Sequence, residues 1–278
     1  MNKRSKWVIP LITALTSVIV FILMKTGIPY LQTDSEKDWV TLAFEDKTSD
    51  TDYDYNDFVV HIKFKEEIEN GRLSKIHLLM RPKAKMGGYR SGFFLNLAPG
   101  GSPIIHGSFS GNIIKTSSTR RAPVQSEIAF PQTILEIFPD TSKAVEFDET
   151  VELELNVDRP SENKAVAREA GSLGKYSFYL NVVDKNHNHY QIEASDRPAT
   201  GLGGTPNALP LTLVIPGAHW RIPKDRTSAY QVYPRLRQHI DYLMGLSPMD
   251  SPDWFRDVSD PNLVETEALL FKKKPAHK

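Results

Sequence analysis

Cysteine is absent from the 278 residues, and that absence excludes two things. No disulfide framework braces the fold, and no lipidated cysteine tethers the chain as a bacterial lipoprotein is tethered. Stability has to come from the core. Acids are absent from the first 33 residues, where Lys3, Arg4, Lys6 and Lys25 stand without a counter-charge. The whole chain carries 34 basic and 34 acidic side chains, so the remainder holds 30 against 34, a net charge of −4. With no basic footprint, nucleic acid is not an expected partner. Beyond residue 40 there is no Gly/Ser-rich or Pro-rich linker and no internal repeat, which points to a single domain. Long apolar runs are confined to one place near the start.

That run, Trp7 to Met24, reads WVIPLITALTSVIVFILM, carries no charge, and lies between a basic flank and Lys25. At 1.5 Å per residue it spans roughly 27 Å, close to the ~30 Å hydrocarbon core of a bilayer. A helix buried in a soluble core would show a polar face. A secretory signal would be shorter and would end in a small-x-small cleavage site, which MKTGIPYLQTDS does not offer. The expectation is an uncleaved N-terminal transmembrane helix. Its basic flank is cytoplasmic and residues from about 30 onward are outside, the alternative being secretion after cleavage. The expected organisation is anchor and linker over 1–32, a folded domain over 33–258, and a tail over 259–278 ending in the solvated FKKKPAHK.

From residue 40 the pattern is mostly β. Val40–Phe44, Phe58–Phe64, Ile76–Met80, Phe93–Leu97, Ile134–Phe138, Val151–Val157, Tyr176–Val183 and Leu211–Ile215 are short apolar or alternating runs, separated by turn-rich ENG, APGGSP, FPDTS and DKNHN. In VELELNV, Val151, Leu153, Leu155 and Val157 fall on one face. Strands at this spacing predict an all-β fold, a sandwich or jelly-roll-like arrangement. Two segments depart from it. Ser161–Gly171 predicts a short surface helix, and YPRLRQHIDYLMG predicts one short C-terminal helix, with Leu236, Ile240 and Leu243 on one face and Gly245 closing it.

Chemistry concentrates in FEDKTSDTDYDYNDFVV, which packs six carboxylates and Asn56 into the span from Phe44 to Val60. On an extended chain Asp52, Asp54 and Asn56 share one side and Tyr53 and Tyr55 the other, so hard oxygen donors crowd a few Å apart and repel unless a cation or water offsets them. Calcium takes six to eight such oxygens, and Glu45 and Asp46 are close enough in sequence to join. Soft metals prefer thiolate or imidazole. An EF-hand is excluded, because counting from Asp52 puts Asp57 where the turn glycine belongs and Lys63 where a bidentate Glu is needed. Two other readings stay open: a solvated loop whose acids cap turn amides, and a catalytic carboxylate pair.

Elsewhere the signals are thinner. His187 and His189 stand two apart with no obvious third ligand. GYRSG and GSFSG lack the central serine of a nucleophile elbow. GLGG lacks the spacing of a dinucleotide loop. Trp39, Trp220 and Trp254 read as core or rim residues before they read as a sugar platform.

The acidic stretch resembles the signature of the LruC-type domain, a family of bacterial extracytoplasmic proteins: an apolar residue, F/Y-E-D, a gap, then D-x-D-x-N-D-x-V. The matching positions are Phe44, Glu45 and Asp46, then Asp52, Asp54, Asn56, Asp57 and Val59. KAKMGGYRSGFFLNL and the segment from LPLTLVIPGAHW to DSPDWF fit the same pattern in the same order. Some relatives are lipoproteins, from which this chain departs in having no cysteine. The resemblance implies a β-rich surface or periplasmic domain without established enzymatic activity, held here in the bacterial inner membrane as a single-pass protein. It also implies a calcium site at Asp52, Asp54, Asn56 and Asp57 with Glu45 and Asp46. The partners expected are the membrane, through the N-terminal helix, and a glycan or envelope protein. The competing expectations are a hydrolase of envelope polysaccharide using Glu45 or Asp54, and a carbohydrate-binding module.

Overall fold

A computed structural model describes residues 36–46, 52–98, 104–105, 107–120, 122–158, 168–169, 171–194 and 210–266. The expected transmembrane helix, most of the Ser161–Gly171 helix and the FKKKPAHK tail lie outside the described residues. Among the described residues no helix is long and apolar enough to cross a membrane.

Eleven strands form two antiparallel sheets. They are β1 Trp39–Phe44, β2 Phe58–Glu69, β3 Arg72–Ala84, β4 Arg90–Asn96, β5 Phe109–Thr116, β6 Val124–Ala129, β7 Ile134–Phe138, β8 Thr150–Val157, β9 Ser177–Val183, β10 His189–Ala194 and β11 Thr212–Pro216. One sheet has the order β11-β1-β2-β3-β8-β5-β6 and the other β10-β9-β4-β7. Residues of one parity on each strand face the opposite sheet. On β8 Val151, Leu153, Leu155 and Val157 are buried while Glu152 is exposed, which is the alternation VELELNV spells out. Between the sheets lies an aromatic cluster in which Phe93 stacks on Phe178 at 5.6 Å and meets Phe44 edge-on at 6.1 Å. The sandwich expectation holds.

The β2–β3 hairpin turns at Asn70 and Gly71, both at positive φ, as the Asn-Gly pair in ENG dictates. His187, also at positive φ, turns β9 into β10, so DKNHN is a hairpin. The expected C-terminal helix is present, and further short helices join it. FPDTS does not merely turn: Asp140 accepts from the N–H groups of Ser142 and Lys143 and starts α1, Thr141–Glu146. Near the C-terminus α2, Ala229–Val232, precedes α3, Leu236–Leu243. At the end of α3 Gly245 takes φ +71°, its N–H bonds to Tyr242 O, and that of Leu246 bonds to Asp241 O, the paired bonds of a Schellman ending.

A second apolar cluster lies on the outer face of the large sheet. Ala43, Val59, Leu213 and Ile215, which point away from the sandwich, pack with Trp220, Tyr233, Leu236, Ile240, Trp254 and Phe255 from the C-terminal segment. This double cover explains why all six residues of β1 are buried. It also places Trp220 and Trp254 in a core. The packing continues beyond residue 258, where Val264 is buried and bridges to Pro223.

Candidate metal centre

The acidic loop is the connection between β1 and β2. Because Phe44 pairs with Phe58, the residues leaving β1, Glu45 and Asp46, are brought beside Asp57 and Asn56 at the approach to β2. Residues 52–56 are not a strand. Tyr53 and Tyr55 adopt φ of 53° and 51°, left-handed values that cost a bulky residue about 1–3 kcal/mol each. The surrounding contacts hold them there. Tyr55 is fully buried, its hydroxyl donates to Pro210 O at 2.7 Å, and its N–H donates to Glu45 Oε1. Ala229 N–H donates to Tyr53 O at 2.8 Å, so α2 begins against the loop.

Three carboxylates converge. Glu45, Asp52 and Asp54 each place an oxygen within 4.8 Å of the other two, with Glu45 and Asp54 buried and Asp52 exposed. Asp54 Oδ1 accepts from Asn56 N–H at 3.3 Å and Oδ2 from Arg226 N–H at 2.8 Å. Burial pushes its carboxyl up to about 6, and the nearby charges of Asp52 and Asp225 act in the same direction, against the two amide donors. Such a group favours either a proton or a cation.

The other expected ligands are placed differently. Asp46 Oδ2 accepts from Lys85 Nζ and from Tyr89 N–H, both at 3.1 Å, while the Asp46 N–H donates to Asp57 Oδ2 at 2.7 Å. Lys85 and Asp46 are both buried, and Lys85 also donates to Gly87 O at 3.0 Å. Burial raises the Asp57 carboxyl, and the adjacent Asp46 charge adds to this. Asp46 is thus paired with a cation already present, Lys85, and Asp57 is tied to Asp46 through its backbone N–H. Asn56, 1% exposed, donates from Nδ2 to Pro223 O at 3.1 Å, and its Oδ1 is buried without a hydrogen-bond partner. The six expected ligands therefore divide. Glu45, Asp52 and Asp54 are brought together, Asp46 and Asp57 form a buried ionic cluster beside them, and Asn56 ties the loop to the C-terminal segment.

Gly87 is part of the ionic cluster by its lack of a side chain. A Cβ there would lie 2.2 Å from Asp46 Oδ2 and 2.4 Å from Asp57 Oδ1. Lys85 and Gly87 belong to KAKMGGYRSGFF, a segment the family pattern marks without assigning it a role. Arg226 and Pro223 contribute through backbone atoms, for which side-chain identity gives no signal. His187 and His189 do not join a cluster: among the described residues Glu45, Asp52 and Asp54 are the group of three or more acids or histidines within reach of one ion.

No protein-family model matches the chain, and no curated protein sequence matches it. The LruC-type likeness therefore rests on the motif residues alone. Among solved structures, the fold is similar to that of a protein described as "a Putative lipoprotein from Bacteroides ovatus", at 12% sequence identity and a TM-score of 0.52, over 82% of this chain and 75% of that one. At this identity the likeness is one of fold: two chains with little sequence in common share a two-sheet β architecture.

Proposed function

We propose that the protein is a non-enzymatic β-sandwich binding module of the bacterial cell envelope, anchored through residues 7–24 and stabilised by calcium at Glu45, Asp52 and Asp54. The observation that carries the metal is the convergence of three carboxylates, two of them buried, on one point. Hard oxygen donors and no sulfur or imidazole suit calcium, with backbone oxygens and water completing its six to eight ligands. Bound there, the ion offsets the repulsion that the burial of Asp54 and Glu45 aggravates. The Asp46–Lys85 pair and the Asp46–Asp57 hydrogen bond support the site by holding the two ends of the loop together.

The envelope location is supported by the uncharged run at Trp7–Met24, by the motif shared with LruC-type domains, and by the fold likeness to a protein described as a lipoprotein. A binding role is favoured over hydrolysis because both oxygens of Asp54 accept backbone N–H groups of the domain itself. The test is thermal unfolding in calcium and in chelator. Calcium is expected to stabilise the fold by RT ln(1 + [Ca²⁺]/Kd) and so raise the midpoint, and superimposed curves up to millimolar calcium refute the assignment.

A further inference from the structure

The segment that follows β11, residues 217–265, covers the outer face of the seven-stranded sheet and is tied to itself. Lys224 N–H donates to Leu263 O, Glu265 N–H to Ile222 O and Ser259 N–H to Val232 O, so its two ends are joined. Its helices are short, four residues in α2 and eight in α3. Helices of that length do not persist in water without packing. Here Trp220, Leu236 and Trp254 supply the packing, against Ala43, Val59 and Ile215 of the sheet. Two groups oppose it: Nε1 of Trp220 and Nε1 of Trp254 are buried without a hydrogen-bond partner, which water would supply to an open segment.

Where this segment meets the acidic loop, three of its backbone groups hold three loop residues. Ala229 N–H donates to Tyr53 O at 2.8 Å, Arg226 N–H to Asp54 Oδ2 at 2.8 Å, and Pro223 O accepts from Asn56 Nδ2 at 3.1 Å. Each contact sets an orientation. A carbonyl can only accept, so Pro223 O fixes which end of the Asn56 amide faces it. The other end, Oδ1, is left buried without a hydrogen-bond partner, a hard oxygen in a residue whose N–H donates to Asp54 Oδ1 at 3.3 Å. Arg226 takes φ +64° where it presents its N–H, and Tyr53 takes φ +53°. Long and bulky residues keep such left-handed angles only where their surroundings impose them.

Lifting the segment would remove all three holds at once. Asp54 and Asn56 would lose the partners that aim them, and Tyr53 and Arg226 could return to ordinary backbone angles. The oxygen that Asp54 places within 4.8 Å of those of Glu45 and Asp52 would then no longer be fixed, and the mutual repulsion of the three carboxylates would drive them apart. A cation that needs the converged oxygens therefore discriminates between the closed and the open segment. A ligand shifts an equilibrium by that difference in affinity.

We infer that calcium and the C-terminal segment are coupled: the ion binds the loop while residues 217–265 are closed over the sheet, with Asn56 Oδ1 as an added ligand, and by reciprocity it holds them closed. Without the ion the segment opens as a unit and bares the outer face of β1 and β11, while the sandwich stays folded. The inference rests on the calcium reading for its ligand, and the experiment separates the two. Calcium uptake by the full chain is measured by equilibrium dialysis, and amide hydrogen exchange is followed by mass spectrometry in EGTA and at calcium a hundredfold above the Kd. The readouts are peptides carrying the Tyr233, Ser259 and Glu265 amides, which bond within the segment and not to the loop; the reference is β8. In EGTA the segment is expected to exchange at least tenfold faster than β8, and calcium is expected to slow it about a hundredfold, by the factor 1 + [Ca²⁺]/Kd. A segment as slow as β8 in EGTA overturns the coupling, and so does calcium that binds and leaves the segment's rates unchanged; both results leave the calcium reading standing. No uptake of calcium refutes that reading, and the coupling with it.

Discussion

Replacing Asp54 by asparagine keeps the side-chain volume and removes one of the three converging charges, so it separates the cost of burying the carboxylate from the benefit of a bound ion. In the folded chain this carboxyl sits at about 6, above the 3.8 of a solvated aspartate. The folded state then holds its proton more tightly than the unfolded state does. Without metal, the contribution of Asp54 to stability is most favourable below pH ~4, where it is protonated in both states, and falls by about 3 kcal/mol as the pH rises through 6. In Asp54→Asn that loss is gone. Against this, an amide offers one acceptor where Asp54 offers two, so either the Asn56 or the Arg226 N–H loses its partner at a cost of about 1–3 kcal/mol.

The two effects nearly cancel, and in chelator near neutral pH the variant is expected to melt within a few degrees of the wild type. Calcium tells them apart. At a hundredfold excess over Kd the wild type gains about 2.7 kcal/mol, roughly 5–11 °C for a unit of this size, while the variant gains a degree or two at most. Because a proton competes for the same carboxylate, the wild-type shift should shrink below pH ~6. Differential scanning fluorimetry across that range, with calcium and with EGTA, reads all of this. A calcium shift of equal size in both proteins refutes the site, and a chelated wild type whose stability does not fall between pH 4 and 7 refutes the electrostatic argument.

Three further substitutions examine the neighbouring structure. Gly87→Ala drives a methyl group into the buried Asp46 and half-buried Asp57 carboxylates and is expected to cost about 1–3 kcal/mol in urea unfolding. Lys85→Met leaves Asp46 charged and buried without its cation and is expected to cost about 3–5 kcal/mol, part of which returns when Asp46→Asn is added. Gly245→Ala meets open space but must hold φ +71°, so its cost is conformational, about 1 kcal/mol or 2–4 °C in melting temperature.

Strands that face the sandwich interior on one side were legible in the sequence, because burial imposes alternation on them, as in Val151–Val157. Three strands were not. In β5, FSGNIIKT, polar Ser110, Gly111 and Asn112 interrupt the pattern; β6 is an edge strand with Ile128 its one buried residue; β10 is an edge strand that reads HYQIEA. An edge exposed to water has little need of a hydrophobic face, so composition does not announce it. α1 was hidden because Asp140, Thr141 and Ser142 suit a turn as well as a helix start. The carboxylate cluster was legible in kind, since Glu45, Asp52 and Asp54 lie within ten residues of one another. The sorting of Asp46 and Asp57 toward Lys85 was not, because it depends on where the end of β3 falls. The expected flat alternation of Asp52, Tyr53, Asp54 and Tyr55 gave way to left-handed tyrosines fixed by Pro210 and Ala229, which lie more than 150 residues away.

That distance sets an order of events during synthesis. Tyr55 rests on Pro210, Asn56 on Pro223, Asp54 on Arg226 and Tyr53 on Ala229, and β1 is flanked by β11. The acidic loop leaves the ribosome early, yet each of these contacts waits for residues more than 150 positions further along the chain. A nascent chain stopped before residue 210 has most of the sandwich and no finished loop, with Val59 and Ala43 still bare. The loop is therefore finished only once residues 210–229 have emerged: a fragment that looks folded by its strands would still lack it.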